Sequence, residues 1–338
     1  MSVAFDWAQF AACALAIGVA GAKLTRLADA IGEKTGLSGS WIGLLLLATA
    51  TSLPEVATGI SAVTVAAAPN LAIGNALGST IFNLALLVLL DFLHQPDSIY
   101  TRASHGHILS AAFGVVLLSV VGASLLLERQ SVLPAIAHVG ATTPLLLALY
   151  LVAMRSVYDY ERRQPAPTES ALPAKYKALS LRRAAVQFVL LALVVAVVGA
   201  WLPVVGVRIA DAMGWSRSFV GTLFITVVTS LPEMVVTVSA LRLGALDMAI
   251  ANLLGSNLFN IVVVISLDDL FYTGGAILAN VAPVHAVTAF SAAMMSGAVI
   301  IGVLYRPKRR WLHVPGAVSL ALAAVYLVNV YVLYVHGE

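Results

Sequence analysis

The sequence predicts an all-α integral membrane protein of ten transmembrane helices, arranged as two inverted-topology repeats of five helices each. Three observations predict it. The 338 residues are 60% hydrophobic and only 10% charged, with a mean hydropathy of +0.96, whereas soluble domains run at about 45–50% apolar and about 25% charged. Apolar runs of roughly 20 residues, long enough to cross a bilayer, recur along the whole chain. The segment Ala48-Thr49-Ala50-Thr51-Ser52-Leu53-Pro54-Glu55 returns as Thr226-Val227-Val228-Thr229-Ser230-Leu231-Pro232-Glu233, and each copy is followed by Gly-Ser-x-x-Phe-Asn.

The first five runs fall at about residues 7 to 30, 40 to 67, 70 to 93, 107 to 127 and 132 to 154. The second five fall at about 184 to 212, 217 to 243, 247 to 270, 282 to 304 and 312 to 335. The N-terminal run ends in small residues around Ala20-Gly21-Ala22 but carries Asp6 and no positive leading segment, so it reads as a retained first helix and not a signal peptide. Cys13, alone in that helix, can form no internal disulfide and reads as a small core residue. Between the two series, residues 156 to 183 hold Pro165, Pro167, Pro173 and much of the loop charge. That linker separates a first repeat, 1–155, from a second, 184–338.

An odd number of spans per repeat makes the second copy enter the membrane from the opposite face, an arrangement that places a transport site near the midplane between the copies. Orientation follows from the cationic residues. Arg155, Arg162, Arg163, Lys175, Lys177, Arg182 and Arg183 crowd the central connection, and Arg306, Lys308, Arg309 and Arg310 precede the last run. With the central connection in the cytoplasm, alternation also places Lys34, Arg102 and Arg242 inside and leaves Arg129, Arg208 and Arg217 outside. The positive-inside rule is then satisfied with both termini outside the cytoplasm, in what reads as a prokaryotic inner membrane. These basic clusters are topology signals, not a nucleic-acid surface.

Within the repeats, Glu55 and Glu233 stand in strongly apolar stretches, where an ionisable side chain is expensive and marks an ion or substrate path. Pro54 and Pro232 lack an N–H and crowd the carbonyl four residues back, so both helices are expected to break there, freeing the carbonyls of Ala50 and Val228. Irregular backbone at membrane depth survives only where it is buried in protein or lines a wet cavity. Ca2+ takes about six to eight oxygens from carboxylates, carbonyls, amides and hydroxyls, and the motif supplies all four kinds. Glu55 and Glu233 bring charge; Ser52, Ser230, Ser79 and Ser256 bring hydroxyls; Asn83 and Asn260 bring amide oxygens. Carbonyls near Ala48, Thr51, Thr226 and Thr229 complete the candidate shell. Ser79 and Asn83, like Ser256 and Asn260, are four apart and share a helix face. Isolated serines and asparagines glue membrane helices together, but here they accompany two acids in matching register. Gly74, Gly78 and Gly255 read as points of close helix approach.

Asp91 falls opposite Asp268 when the Gly-Ser motifs are aligned, and both read as interfacial charges at helix ends. His105 and His107 show no cluster of the sort a zinc or copper site needs. No nucleophile, phosphate-binding glycine loop or cofactor motif points to an enzyme, and none to a cofactor. A channel built on the same oxygens is the remaining alternative from another class.

With these motifs in view, the chain resembles the sodium/calcium exchanger branch of the cation/calcium antiporter superfamily in its compact prokaryotic form. The resemblance spans the chain and is most specific from Thr51 to Asn83 and from Thr229 to Asn260. It implies a rigid core made by the second, third, seventh and eighth helices, with the first and sixth sliding to open the site alternately to each side. It implies Ca2+ exchanged for Na+, with the lipid bilayer as the surroundings and one copy sufficient for transport. Family ligands carried across by motif are Glu55, Glu233, Ser52, Ser230, Ser79, Ser256, Asn83 and Asn260, with the carbonyls of Ala48, Thr51, Thr226 and Thr229. The usual glycine before Thr-Ser-Leu-Pro is Ala50 and Val228 here, and Ala251 replaces the glycine of the second Gly-Asn. Some relatives have an acid where this chain has Asn83 or Asn260. Two carboxylates neutralise one divalent or two monovalent ions, so a Ca2+/H+ exchanger, or an exchanger of another divalent cation, stands beside the Na+-coupled reading.

Overall fold

The computed structural model describes residues 3–35, 48–94, 97–130, 134–163, 179–242, 244–306 and 316–337. Its helices are α1 (Val3–Lys34), α2 (Leu53–Thr64), α3 (Pro69–Leu93), α4 (Gly106–Leu127), α5 (Thr142–Glu161) and α6 (Leu181–Met213). They continue with α7 (Arg217–Thr229), α8 (Leu231–Arg242), α9 (Leu246–Phe271), α10 (Val284–Tyr305) and α11 (Ala317–His336). Seven described helices are long and apolar enough to span a membrane, and α7 with α8, bent by 48°, forms an eighth candidate. The chain is an all-α, multi-pass integral membrane protein.

Most expected spans coincide with these helices. The second lies partly outside the described residues, which resume at Ala48. The fifth begins at Thr142 and not near 132: Ala135–Ile136 and Val139–Gly140 pair as a small antiparallel hairpin, β1 and β2, and Ala137 turns the chain at φ 58°. The central connection is also shorter than expected, since α5 continues to Glu161 and α6 starts at Leu181.

Burial sorts the helices into a centre and a periphery. Of the spanning window of α9, 78% is buried inside the protein, and of α3, 67%, against 28% for α1 and α6 and 22% for α11. Leu71, Ile73, Leu77, Ile81, Leu84 and Leu87 of α3 anchor the core. Gly78 sets the spacing at its centre: a β-carbon there would lie 2.7 Å from Cα and the carbonyl oxygen of Thr222, so α3 and α7 meet backbone to backbone. The stretch that would face Gly255 in the same way lies largely outside the described residues, since the counterpart of Thr222 is Leu44. Among the described residues, a β-carbon at Gly255 would come no nearer than 3.9 Å, to Cβ of Ala48.

At the periphery α1 packs along α6. Asp6 Oδ1 lies 3.0 Å from Arg208 Nε, and Gln9 Oε1 accepts from Arg208 at 2.8 Å and from Trp201 at 3.1 Å. Pro203 cannot donate to the carbonyl four residues back, Gly199. The hydroxyl of Thr58 donates to that carbonyl at 3.1 Å, and the hydroxyl of Ser61 donates to Ala200 O. The proline break thus fastens α6 to α2.

The end caps show how the two sequence copies correspond. Asp91 Oδ1 accepts from Ser98 Oγ at 2.9 Å and Ile99 N at 3.0 Å; its Oδ2 accepts from Gly316 N at 2.9 Å and Ser319 Oγ at 2.8 Å. Asp269 accepts from Ile277 N at 2.8 Å, Gly140 N at 2.9 Å and Thr143 Oγ1 at 2.6 Å. Each aspartate grips the backbone eight residues on and the N-terminal turn of another helix, α11 or α5. The counterpart of Asp91 is therefore Asp269, not Asp268, and both are buried caps instead of interfacial charges.

A one-residue change of register explains the shift. The connection from α2 to α3 has four residues, 65–68, whereas that from α8 to α9 has three, 243–245. Asn260–Val264 then forms a π-helical turn within α9, which takes up one extra residue. Asp91→Ala would orphan two N–H groups and two hydroxyls, so we expect a loss of about 3 kcal/mol or more in stability. Thermal unfolding of the protein in lipid measures it, and an unshifted transition would refute the capping role.

Candidate functional site

Both copies of the Thr-Ser-Leu-Pro-Glu motif interrupt a helix with the same geometry. Ser52 has φ −88°, ψ 9°, and Ser230 has φ −87°, ψ 10°. The break falls at these serines, two residues before the prolines expected to mark it. Pro54 lies in the first turn of α2, and Pro232 takes the same second position in α8, where a missing N–H costs no helical hydrogen bond. The glutamates follow directly, also in the first turn, where free N–H groups and the helix dipole favour negative charge.

Across the centre each serine serves the other copy's acid. Ser52 Oγ donates to Glu233 Oε1 at 3.2 Å, and Ser230 Oγ donates to Glu55 Oε1 at 3.0 Å. Ser79 Oγ, from α3, adds a third contact to Glu55 Oε1 at 3.3 Å. The matching Ser256 instead meets the hydroxyl of Thr51 at 3.2 Å. All of these side chains are fully buried, as are Thr226, Thr229, Asn83 and Asn260.

What remains without hydrogen-bond partners is a set of oxygens. Glu55 Oε2, Glu233 Oε2, Asn83 Oδ1 and both amide atoms of Asn260 are buried and unpartnered. Buried polar groups are normally satisfied, and each exception calls for a reason. The two carboxyls are also close enough to interact electrostatically. Two acids and two amide oxygens offering lone pairs, with no Lys, Arg or His among their partners, suit a hard cation.

The carbonyls fare differently. Ala48 O accepts from Ser52 N at 3.0 Å and Thr51 Oγ1 at 3.1 Å; Thr226 O accepts from Ser230 N at 2.9 Å and Thr229 Oγ1 at 3.3 Å. Each already holds two donors, the number of its lone pairs. In this conformation neither is free to act as the sequence reading expected.

Two further asparagines support the site. Asn75 Oδ1 accepts from Thr229 Oγ1 at 3.0 Å while its Nδ2 donates to Glu55 O at 3.4 Å, tying the end of α7 to the start of α2. Asn257 Oδ1 accepts from Asn83 Nδ2 at 3.1 Å, which leaves the oxygen of Asn83 as its open atom. The signal for Asn75 was present in sequence. Asn75, Ser79 and Asn83 recur at intervals of four, as do Asn252, Ser256 and Asn260, so each trio shares one helix face.

Comparison with known proteins gives a consistent result. A family model described as sodium/calcium exchanger protein matches residues 5–155 and 183–335. The inner membrane protein YrbG of Escherichia coli K12 is 29% identical over 247 residues, 69% of this chain and 70% of that protein. Among solved structures, the sodium-calcium exchanger NCX_Mj superposes with a TM-score of 0.63 at 22% identity, over 98% of this chain and 100% of that one. The H+/Ca2+ exchanger CAX superposes with a TM-score of 0.70 at 14% identity, over 98% of this chain and 88% of that one.

Proposed function

The chain belongs to the sodium/calcium exchanger family, a family of membrane ion exchangers and not of enzymes, and from that premise we propose that it exchanges Ca2+ for Na+ by alternating access. The observation that carries this reading is the pair of fully buried glutamates, each held through one oxygen by the opposite copy's serine and each keeping a second oxygen unpartnered. A Ca2+ ion balances both charges at once; so do two Na+ ions. Inside a low-dielectric core, either load is favourable and both together are not. Exclusive occupancy of that kind is what couples two gradients.

In this reading the ligands are Glu55, Glu233, Ser52, Ser230, Ser79, Ser256, Asn83 and Asn260. Thr51 and Thr229 hold the broken backbone, and the carbonyls of Ala48 and Thr226 join only if their hydroxyl donors turn away. The same reading takes ten spans in two inverted repeats, 1–155 and 184–338, with this centre near the midplane. Both termini then lie outside the cytoplasm of a prokaryotic inner membrane. α1 and α6, joined by Asp6 and Arg208, move as one body against the core of α2, α3, α7, α8 and α9.

Radiolabelled Ca2+ uptake into proteoliposomes tests the reading. Vesicles loaded with Na+ at clamped pH are compared with vesicles carrying only a pH gradient. Uptake in the first set alone supports Na+/Ca2+ exchange; uptake in the second alone makes the protein a Ca2+/H+ exchanger working through the same two glutamates, and uptake in neither removes Ca2+ as the cargo. A third carboxylate at the unpartnered Asn260 should raise the monovalent load. We therefore expect Asn260→Asp to change the Ca2+ gradient sustained by a fixed Na+ gradient. If coupling and ion preference both stay the same, Asn260 does not face the ion.

A further inference from the structure

The register shift in α9 leaves one acid without a counterpart. Asp269 takes the capping position that matches Asp91, and Asp268, its neighbour, turns toward α2. It is fully buried, and neither of its carboxyl oxygens has a hydrogen-bond partner. A β-carbon at Gly59 would lie only 2.9 Å from Asp268 Cγ, so the carboxyl rests directly on the backbone of α2. Gly59 follows Glu55 by four residues, one helical turn and about 6 Å along the same face.

Among the described side chains no lysine or arginine is paired with this group, and the nearby His138 turns its Nε2 to Leu270 O at 3.0 Å. α2 carries Glu55 as its one titratable residue, and the π turn, β2 and the turn Ile277–Ala279 carry none. α3 brings Asp91, engaged by four donors in its cap. α5 presents Thr142 and Thr143 at this end, with Tyr150 and Arg155 farther along and Tyr158, Asp159, Tyr160 and Glu161 at its far end. Asp269 is adjacent, and Glu128 lies beyond Thr142, whose hydroxyl it accepts at 2.5 Å. Burial pushes the Glu128 carboxyl up, opposed in part by that hydroxyl. Apart from His138, the described surroundings are acidic or neutral.

A bare carboxylate in such a place is expensive unless a cation or a proton neutralises it. A metal ion needs several ligands around it, and among the described residues no group of three His, Cys, Asp or Glu side chains gathers here to hold one. A proton needs only the carboxyl itself. We propose that Asp268 is a proton-binding site of the transport cycle, separate from the two-glutamate centre, which holds a proton in this conformation and releases it when the sliding of α1 and α6 along α2 lets water into the seam between α2 and α9. The step is a simple transfer: the O–H bond breaks, the carboxylate keeps the electron pair, and water entering the seam takes the proton. The cycle itself rests on the exchanger reading; the protonated state of Asp268 does not.

Infrared spectroscopy of the full chain in lipid, labelled with 13C at the aspartate carboxyl, separates Asp268 from the glutamates. At about pH 7.5, well above the ordinary range for aspartate, we expect a 13C-shifted carboxylic acid band that is absent from Asp268→Asn. We also expect the pH dependence of Na+-driven Ca2+ uptake to flatten in that variant by about threefold or more. An aspartate acid band missing from the wild-type protein, or present unchanged in Asp268→Asn, overturns the proposal. Should that variant fail to fold, Gly59→Ala presses a methyl group onto the carboxyl and must displace the band. Acid band without Ca2+ uptake would retire the exchanger reading and keep the proton site; uptake without the band would do the reverse.

Discussion

Glu233→Gln, or equally Glu55→Gln, is expected to abolish Ca2+ exchange while leaving the protein folded. Each glutamate supplies half of the negative charge that a divalent ion needs, and glutamine keeps the shape and loses the charge. Removing one partner from a buried ionic arrangement typically costs about 3–5 kcal/mol, which corresponds to roughly 100-fold to 4,000-fold in affinity. Folding should persist because the serine hydroxyls that donate to Oε1 of each acid can donate equally well to an amide oxygen. The check is radiolabelled Ca2+ uptake beside size-exclusion behaviour and thermal unfolding. Wild-type exchange in either variant would remove that residue from the ion's surroundings.

Gly78→Val should disable the protein by a different route. The added branches have no room, because Thr222 backbone atoms already lie 2.7 Å from where the β-carbon would be. α3 and α7 must separate, which pulls Asn75 away from Thr229 and Thr226. Overpacking of this kind costs about 1–3 kcal/mol, and we expect loss of Ca2+ binding together with a lowered unfolding temperature. Gly114→Ala is the control, since its β-carbon would meet Ser296 Oγ at an ordinary 3.6 Å. Equal damage in both variants would mean that the contact between α3 and α7 is not what holds the site.

Much of the centre was legible because it was written twice. Glu55 and Glu233 stood out as acids in apolar runs, and the serines and asparagines followed from helical spacing. The structure buries all of them and joins Ser52 to Glu233, and Ser230 and Ser79 to Glu55, while both amide atoms of Asn260 stay unpartnered. What spacing could not give was who bonds whom. Ser52 serves Glu233 and not its own neighbour Glu55, and Ser256 meets Thr51 where symmetry suggested an acid. The carbonyls of Ala48 and Thr226 were chosen for their place in the motif, yet a local hydroxyl and a local N–H occupy each of them.

The misassignment of Asp268 has a single cause. Aligning the Gly-Ser motifs sets one register, and that register is correct up to Asn260; the π turn that starts there shifts everything after it by one residue. A π turn has no residue signature in Asn260–Val264, so only backbone hydrogen bonding reveals it. The hairpin before α5 was missed for a related reason, since its apolar residues satisfy a hydropathy window as well as a helix does.

The sequence by itself determined that this chain lives in a membrane, is built from two copies of one unit, and keeps two acids at membrane depth. Those properties follow from transfer energies and chemical identity, which each residue carries wherever it lies. Only the tertiary structure decided which oxygens are left open, which glycine brings two backbones together, and which of two adjacent aspartates is capped and which is bare. These depend on the register between helices distant in sequence, where a shift of one residue turns a side chain by about 100° and gives it different neighbours.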